Sequence, residues 1–383
     1  MRTKILLGAV MIICFFAVAF AIVFTGVPLH STQEIDLTAS ARITAAGGFV
    51  LNSDVPQAGS NLINSMPQFG HIRPFIDGDL NITSLVGVIP PLVENLNASS
   101  SPAELLRAMR GARFNLVITA NNRAFDRGWQ GMLQIQEVLN TAWMNFTGTF
   151  TSREDHTTPH IVTLNGIQVG ITAWAALGDD ELNITEEQAA FAMNTFDQTS
   201  IEDVPRMLED VQRLRRAGAE VVIMVLHWGY ELQETPTPRQ MQIARRLAAG
   251  GVDVILGNNH STVQTIEILE GVDYRNITVY SMGSFFTDLA PGETPAPTTR
   301  YGMLVYLDIE RGPDGNIRVD VVYMPTLHFR VPNLGFVVLP AGRYAEMTQR
   351  PNYITPPTWQ NLRSAWEHVR RVVGPEIPVF SGA

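Results

Sequence analysis

The sequence predicts a layered α/β domain built on mixed sheets. Three observations carry this. Short β-branched stretches alternate with helix-period stretches along most of the chain. Residues 221–226, Val-Val-Ile-Met-Val-Leu, form an unbroken apolar run, the mark of a strand covered on both faces. The later strands follow one another with few helices between them, which favours mixed sheets over one parallel sheet.

Residues 41–51 read as the first strand. Ser101, Pro102 and Glu104 then open a helix, with serine as cap, proline at the first position and glutamate at the third. Residues 114–120 form a short buried strand, and residues 129–143 a helix. Within residues 160–175, Asn165-Gly166 separates two β-rich stretches, a strong hairpin signal. From Val204, the residues Met207, Leu208, Val211 and Leu214 recur at helical spacing. A helix over 237–249 follows the 221–226 strand and leads to a second buried strand over 252–256. Strands over 277–280, 303–309 and 317–323 come next, and an amphipathic helix over 359–373 closes the chain.

In such folds the loops beyond the carboxyl ends of the strands carry the site. Three polar clusters occupy that position: Asn121-Asn122-Arg123, His227-Trp228-Gly229 and Gly257-Asn258-Asn259-His260. Each has a plain reading beside the functional one. Asn121 and Asn122 either hold a turn by side-chain-to-backbone bonds or act as ligands. Arg123 either pairs with Asp126 or presents a fixed positive charge to a carboxylate or phosphate. His227 is either a half-buried histidine tied to the backbone or a site group. Asn258, Asn259 and His260 form either a turn or a polar binding loop, and Glu231 is either a solvent-facing acid or a substrate contact. The six other histidines show no partner spacing and read as structural or surface groups.

The stretch Ala120-Asn121-Asn122-Arg123-Ala124-Phe125-Asp126-Arg127-Gly128 resembles the "ANNHxxDxG" loop of the poly-γ-glutamate capsule biosynthesis (CapA) family. His227-Trp228-Gly229-Tyr230-Glu231, with Pro236-Thr237-Pro238 and Gln240, is similar to its "HWGxE…PTPxQ" stretch. Gly257 to Gln264 follows its "GxHPHVxQ" loop, and Tyr280 to Phe285 its "YSLGNF" strand. Order and spacing agree over roughly residues 41–330. The resemblance implies a four-layer metallophosphoesterase-like sandwich, two mixed sheets flanked by helices. It also implies one or two divalent metals that clamp a phosphoryl group and activate water.

This chain departs from the family pattern at several ligand positions. Gly47-Gly48 stands where the first strand usually ends in Gly-Asp. Thr83-Ser84-Leu85-Val86 takes the place of "ANLE", Arg123 that of a histidine, and Asn259 and Ser261 those of the two histidines in "HPH". His227 and Asn122 remain as metal-ligand candidates, and His260 lies one residue from each lost histidine. Amide and imidazole groups without a carboxylate make a weak site for a hard divalent cation, so a divalent metal is possible but doubtful as cofactor.

Composition narrows the chemistry further. Apolar residues make up 45% and charged residues 17% of 383, enough to bury a sizeable core. The formal charge is −10 although two of the 27 cations, Arg2 and Lys4, precede the first apolar run. That acidic body argues against nucleic acid as a partner. Lys4 is the only lysine and Cys14 the only cysteine. Schiff-base chemistry, a Walker-type lysine, internal disulfides and cysteine metal clusters in the domain are therefore excluded.

Residues 5–24 form an uncharged apolar run of the length that a membrane-crossing helix needs. Arg2 and Lys4 precede it and no basic residue follows until Arg42, so the bulk of the chain is expected on the outer side. Ala17-Val18-Ala19 and Ala19-Phe20-Ala21 also fit a signal-peptidase site, but Ile22-Val23-Phe24 extends the run past both. The expected organisation is an anchor over 1–26, a linker over 27–40, the main domain over 41–330 and a C-terminal extension over 331–383 packed on it. The functional expectation is a single-pass cell-membrane protein with its domain outside. It would act in synthesis, export or retention of an anionic polymer such as poly-γ-glutamate, beside other membrane capsule-synthesis proteins. His227, Asn122 and Arg123 are the catalytic candidates; Asn121, Glu231, Asn258, Asn259 and His260 are the substrate-binding candidates. The alternatives are an active metal-dependent hydrolase with a rearranged site and a purely structural surface protein.

Overall fold

The computed structural model describes residues 38–51, 69–87, 102–177, 182–258, 261–287, 296–331, 335–352 and 354–380. The expected membrane span, the linker before residue 38, Ser101, Asn259 and His260 lie outside the described residues. Among the described residues no helix is long and apolar enough to cross a membrane.

An eight-stranded and a seven-stranded sheet, both mixed, form the body. The first begins with β1 (Ala39–Leu51), β2 (Leu80–Gly87), β3 (Leu116–Ile118) and β4 (Asn145–Thr147). The second is made of β5 (Ile161–Leu164), β6 (Ile167–Ala176), β7 (Thr195–Phe196), β8 (Val221–His227), β9 (Val254–Asn258), β10 (Ile266–Glu270) and β11 (Arg275–Val279). The chain then returns to the first sheet with β12 (Ser284–Thr287), β13 (Tyr301–Arg311), β14 (Ile317–Val331) and β15 (Gly335–Pro340). The strand order is β15-β14-β13-β1-β2-β3-β4 in the first sheet, with β12 also on β1. In the second it is β10-β11-β9-β8-β6-β5, with β7 also on β6.

Side-chain alternation explains why the sheets stack. In β8, Val221, Ile223 and Val225 face the core between the sheets, together with Ile43 and Ala45 of β1 and Val254 and Leu256 of β9. The intervening Val222, Met224 and Leu226 face outward onto a second core. Both faces are covered, so no polar residue interrupts the run. Burying each such side chain contributes about 1.5–3 kcal/mol. The helices α1 (Pro102–Gly111), α2 (Gly128–Thr141), α3 (Arg153–Thr157), α4 (Glu186–Ala189), α5 (Val204–Arg216), α6 (Pro238–Ala249), α7 (Ala341–Ala345) and α8 (Pro356–Val373) complete the fold. Met207, Val211 and Leu214 of α5 and Ile243 and Leu247 of α6 close the outer core of the second sheet. Met109 of α1 and Leu139 of α2 join Phe49, Phe114 and Phe285 on the outer face of the first. Residues after 331 are built in: β15 pairs with β14, and Leu362, Ala365 and Val369 of α8 enter the inter-sheet core.

Several elements differ from the sequence expectation. The 114–120 strand shortens to Leu116–Ile118, and just beyond it the side chains of Thr119 and Asn121 donate to backbone carbonyls. The 129–143 helix ends at Thr141, and Trp143 adopts a left-handed backbone (φ 56°) with 83% of its surface exposed. β2 was not expected as a strand. It is buried along its whole length, but Asn81, Thr83 and Ser84 mask it in the sequence.

β1 changes partner halfway. Ala39 to Ala46 pairs antiparallel with β13, and from Gly48 onward the strand runs parallel to β12. The register with β2 shifts between Ala45 and Gly48, a span that includes Gly47. A Cβ there would stand 1.8 Å from the Gly283 carbonyl oxygen, so only glycine lets the two backbones meet. That crossing brings the end of β1 beside the start of β12, next to the ends of β3, β8 and β9.

Candidate functional site

Asn121 holds the loop after β3. Its buried side chain donates to the carbonyls of Leu85 (3.0 Å) and Thr119 (2.9 Å), and its Oδ1 accepts from the Arg123 backbone N–H (2.9 Å). Such an Asx turn fixes where the next two side chains point. Asn122 reaches β8, its Oδ1 standing 2.9 Å from His227 Nε2. The imidazole of His227 is buried, whereas Asn122 is exposed above it. Arg123 Nε donates to Asp126 Oδ2 at 3.0 Å, with both side chains about one-third exposed. At that exposure the pair contributes no more than about 1 kcal/mol.

The loop after β8 is anchored by Trp228. Its backbone N–H donates to Asn258 O (3.1 Å), its indole Nε1–H donates to Tyr280 O (3.0 Å), and its ring stacks on Tyr280 at 5.9 Å. Burial, helped by the hydrogen bond to Glu267, pushes the Tyr280 hydroxyl up and keeps it neutral. Beyond it, Gly229 (φ 82°) donates its N–H to Gln198 Oε1, and Leu232 (φ 64°) holds a left-handed backbone without being glycine. Glu231 lies between them, exposed. Asn258, at the end of β9, donates from Nδ2 to Ser84 Oγ of β2 at 2.9 Å, a bond from one sheet to the other. Its Oδ1 is buried and has no donor among the described residues.

These elements surround a pocket of about 110 Å³. Gly48, Asn122, Arg123, Glu231, Asn258, Ser261 and Ser284 line it. Four candidates named from sequence thus meet there: Asn122, Arg123, Glu231 and Asn258. His227 touches the group through Asn122, and Asn121 holds the loop from behind. Asn259 and His260 lie outside the described residues. Ser84 and Ser284 were not singled out as site residues, and neither was Gln198. Ser84 could have been found from its place in the family's second motif; nothing local marks Gln198.

The donor set can be tested against the metal that the resemblance implies. The 2.9 Å between His227 Nε2 and Asn122 Oδ1 is a hydrogen-bond length. It also equals the edge of an octahedral site, where bonds of about 2.1 Å set neighbouring ligands about 2.9–3.0 Å apart. The rest decides. Gly48 lines the pocket where a carboxylate would be needed, and Glu231, the one acid among the described lining residues, shares the lining with Arg123. No group of three or more His, Cys, Asp or Glu side chains converges among the described residues. One carboxylate beside one guanidinium does not balance two divalent cations, so these residues do not fit a two-metal centre.

Behind β12 lies His328 of β14, fully enclosed. Burial, with a smaller effect from Arg300, pushes its imidazole down to about 3, so it is neutral at ordinary pH.

Comparison with known proteins agrees with the motif reading. Residues 42–289 match the family described as bacterial capsule synthesis protein PGA_cap. A capsule biosynthesis protein CapA of Bacillus anthracis is 23% identical over 190 residues, 49% of this chain and 44% of the relative. A PGA biosynthesis protein CapA of Bacillus subtilis (strain 168) is 25% identical over 217 residues, 56% of this chain and 52% of the relative. The chain thus spans about half the length of these curated relatives. Among solved structures, the NAD nucleotidase NadN of Haemophilus influenzae aligns with a TM-score of 0.42 at 10% identity, covering 90% of this chain and 64% of that one.

Proposed function

The chain belongs to the bacterial capsule synthesis protein family PGA_cap, and on that premise we propose that it is a membrane-anchored, outward-facing protein serving an anionic capsule polymer such as poly-γ-glutamate. It takes part in making, exporting or retaining that polymer. Its two-sheet body is a metallophosphoesterase-like scaffold turned from two-metal hydrolysis towards binding. The observation that carries this reading is that Gly48 and Arg123 both line the pocket, at positions where the motif resemblance implies an aspartate and a histidine. An arginine in that position repels a cation and attracts a carboxylate. The apolar run over residues 5–24, with Arg2 and Lys4 before it, supports the anchor and its orientation.

The test combines metal content with polymer binding. Purified full chain is expected to carry substoichiometric divalent metal, to leave a generic phosphodiester intact, and to melt higher when polyglutamate is added. Arg123→Ala is expected to remove that shift in melting temperature. Stoichiometric metal with phosphodiester turnover would instead establish the hydrolase reading. Protease added to intact cells is expected to remove the domain, and a protected domain would overturn the topology.

A further inference from the structure

We propose that the pocket takes an α-amino-acid zwitterion, and that on a γ-linked glutamate chain this means the free amino-terminal residue, not the chain interior. The second half rests on the polymer reading above. Arg123 and Glu231 line the same small pocket, so it offers one positive and one negative group. The bond to Asp126 engages Arg123 Nε, and a guanidinium can serve two carboxylates at once. Asn258 adds an acceptor. Its Nδ2 is committed to Ser84 Oγ, while its buried Oδ1 has no donor among the described residues. An ammonium group, with three N–H donors, matches Glu231 and Asn258 Oδ1 together; a carboxylate on the same carbon matches Arg123.

Charge excludes the chain interior, and a pocket of about 110 Å³ has room for an amino-acid head group. Interior residues of a γ-linked chain bring an α-carboxylate but no ammonium, and Glu231 on an acidic protein repels them. The amino-terminal residue is different. Because the linkage uses the γ-carboxyl, that residue alone keeps both its α-ammonium and its α-carboxylate. An α-linked peptide has no such residue, since its first α-carboxyl is spent in the amide.

The experiment is calorimetric titration of the full chain with γ-linked triglutamate, the same trimer N-acetylated and α-linked triglutamate, beside free glutamate, free alanine and long poly-γ-glutamate. The free γ-trimer is expected to bind, and the other two at least tenfold more weakly. Glu231→Gln, an exposed change that leaves the fold intact, is expected to weaken the free γ-trimer by about tenfold and the acetylated trimer not at all. Equal binding of free and acetylated trimers overturns the inference, as does an equal effect of Glu231→Gln on both, or no binding by any probe including free glutamate. Binding of free glutamate and alanine without any of the trimers keeps the zwitterion pocket and removes the polymer. Stabilisation by long polymer with no preference for a free amino end does the reverse.

Discussion

At the end of the sheets away from the pocket, charge is cancelled in place. Arg311 of β13 forks onto both oxygens of Glu220 (3.0 and 2.7 Å) and donates to Gly166 O (2.8 Å), joining the first sheet to the second. Arg42 forks onto Asp308 (2.7 and 3.0 Å), and Arg215 holds Asp253 at 2.7 Å. A hollow of about 540 Å³ lies at this end, yet it is a broad depression at the tip of the β13–β14 hairpin, and the fork of Arg311 is committed to Glu220. At the pocket end the sheets are joined by an amide–hydroxyl bond, Asn258 to Ser84, and by an amide–imidazole pair, Asn122 and His227. Glycines fill the strand crossings there. One end is a set of closed ionic clamps. The other keeps polar groups around a void, which is what binding requires. A hollow's size is therefore a poor guide, and the commitment of its polar atoms a better one.

The comparison breaks hardest at Gly47. Gly47→Ala puts a methyl group within 1.8 Å of the Gly283 carbonyl oxygen, backbone against backbone. A loss of about 3 kcal/mol or more in chemical denaturation is expected, with the pocket lost as well. Acid comes next. His328 has a folded pKa of about 3, below the ~6.5 of an unfolded histidine, so its stabilisation is complete above pH 6.5 and is lost as pH falls towards 3. At pH 5 that loss is about 2 kcal/mol relative to pH 8. Stability of His328→Leu, followed from pH 8 to 5, is expected to fall by that much less than the parent's. At the clamped end, Arg311→Gln is expected to cost about 1–2 kcal/mol in denaturant melts while leaving ligand binding unchanged, since it unpairs a partly buried Glu220. The smallest effect on stability sharpens the contrast most. Gly48→Asp places its Cβ 3.3 Å from a Val86 methyl, a side chain able to give way, so the cost should stay under about 1 kcal/mol. The added carboxylate is expected to raise Mn²⁺ affinity above that of the parent in direct titration.

Much of the fold was legible where one local rule acted alone. The hairpin at Asn165-Gly166 forms with both residues at positive φ (49° and 87°), as the primed turn demands. Thr237 and Gln240 make a full capping box at the start of α6. The strand over 221–226 emerges as β8, one residue longer. Legibility failed where polar residues sit inside. Asn81, Thr83 and Ser84 make β2 look like a loop: Asn81 bonds locally to Gly78 O, but the partners of Thr83 and Ser84, Gly47 O and Asn258, come from distant parts of the chain. In the site, residue types and strand-end positions were readable. The pairings were not, since Asn122 and His227 are 105 residues apart and Asn258 and Ser84 are 174 apart.

The sequence by itself determined the layered α/β architecture, the strand-end position of the polar clusters and the family, because periodicity and motif spacing are local properties. Only the tertiary structure decided which of two adjacent glycines is structural. Gly47 answers to a backbone 236 positions further on, whereas Gly48 faces the pocket. It also decided that Arg123 and Glu231 share one small pocket, while the charges at the other end cancel each other. Those outcomes depend on how two sheets stack, and no stretch of chain read alone carries that distance.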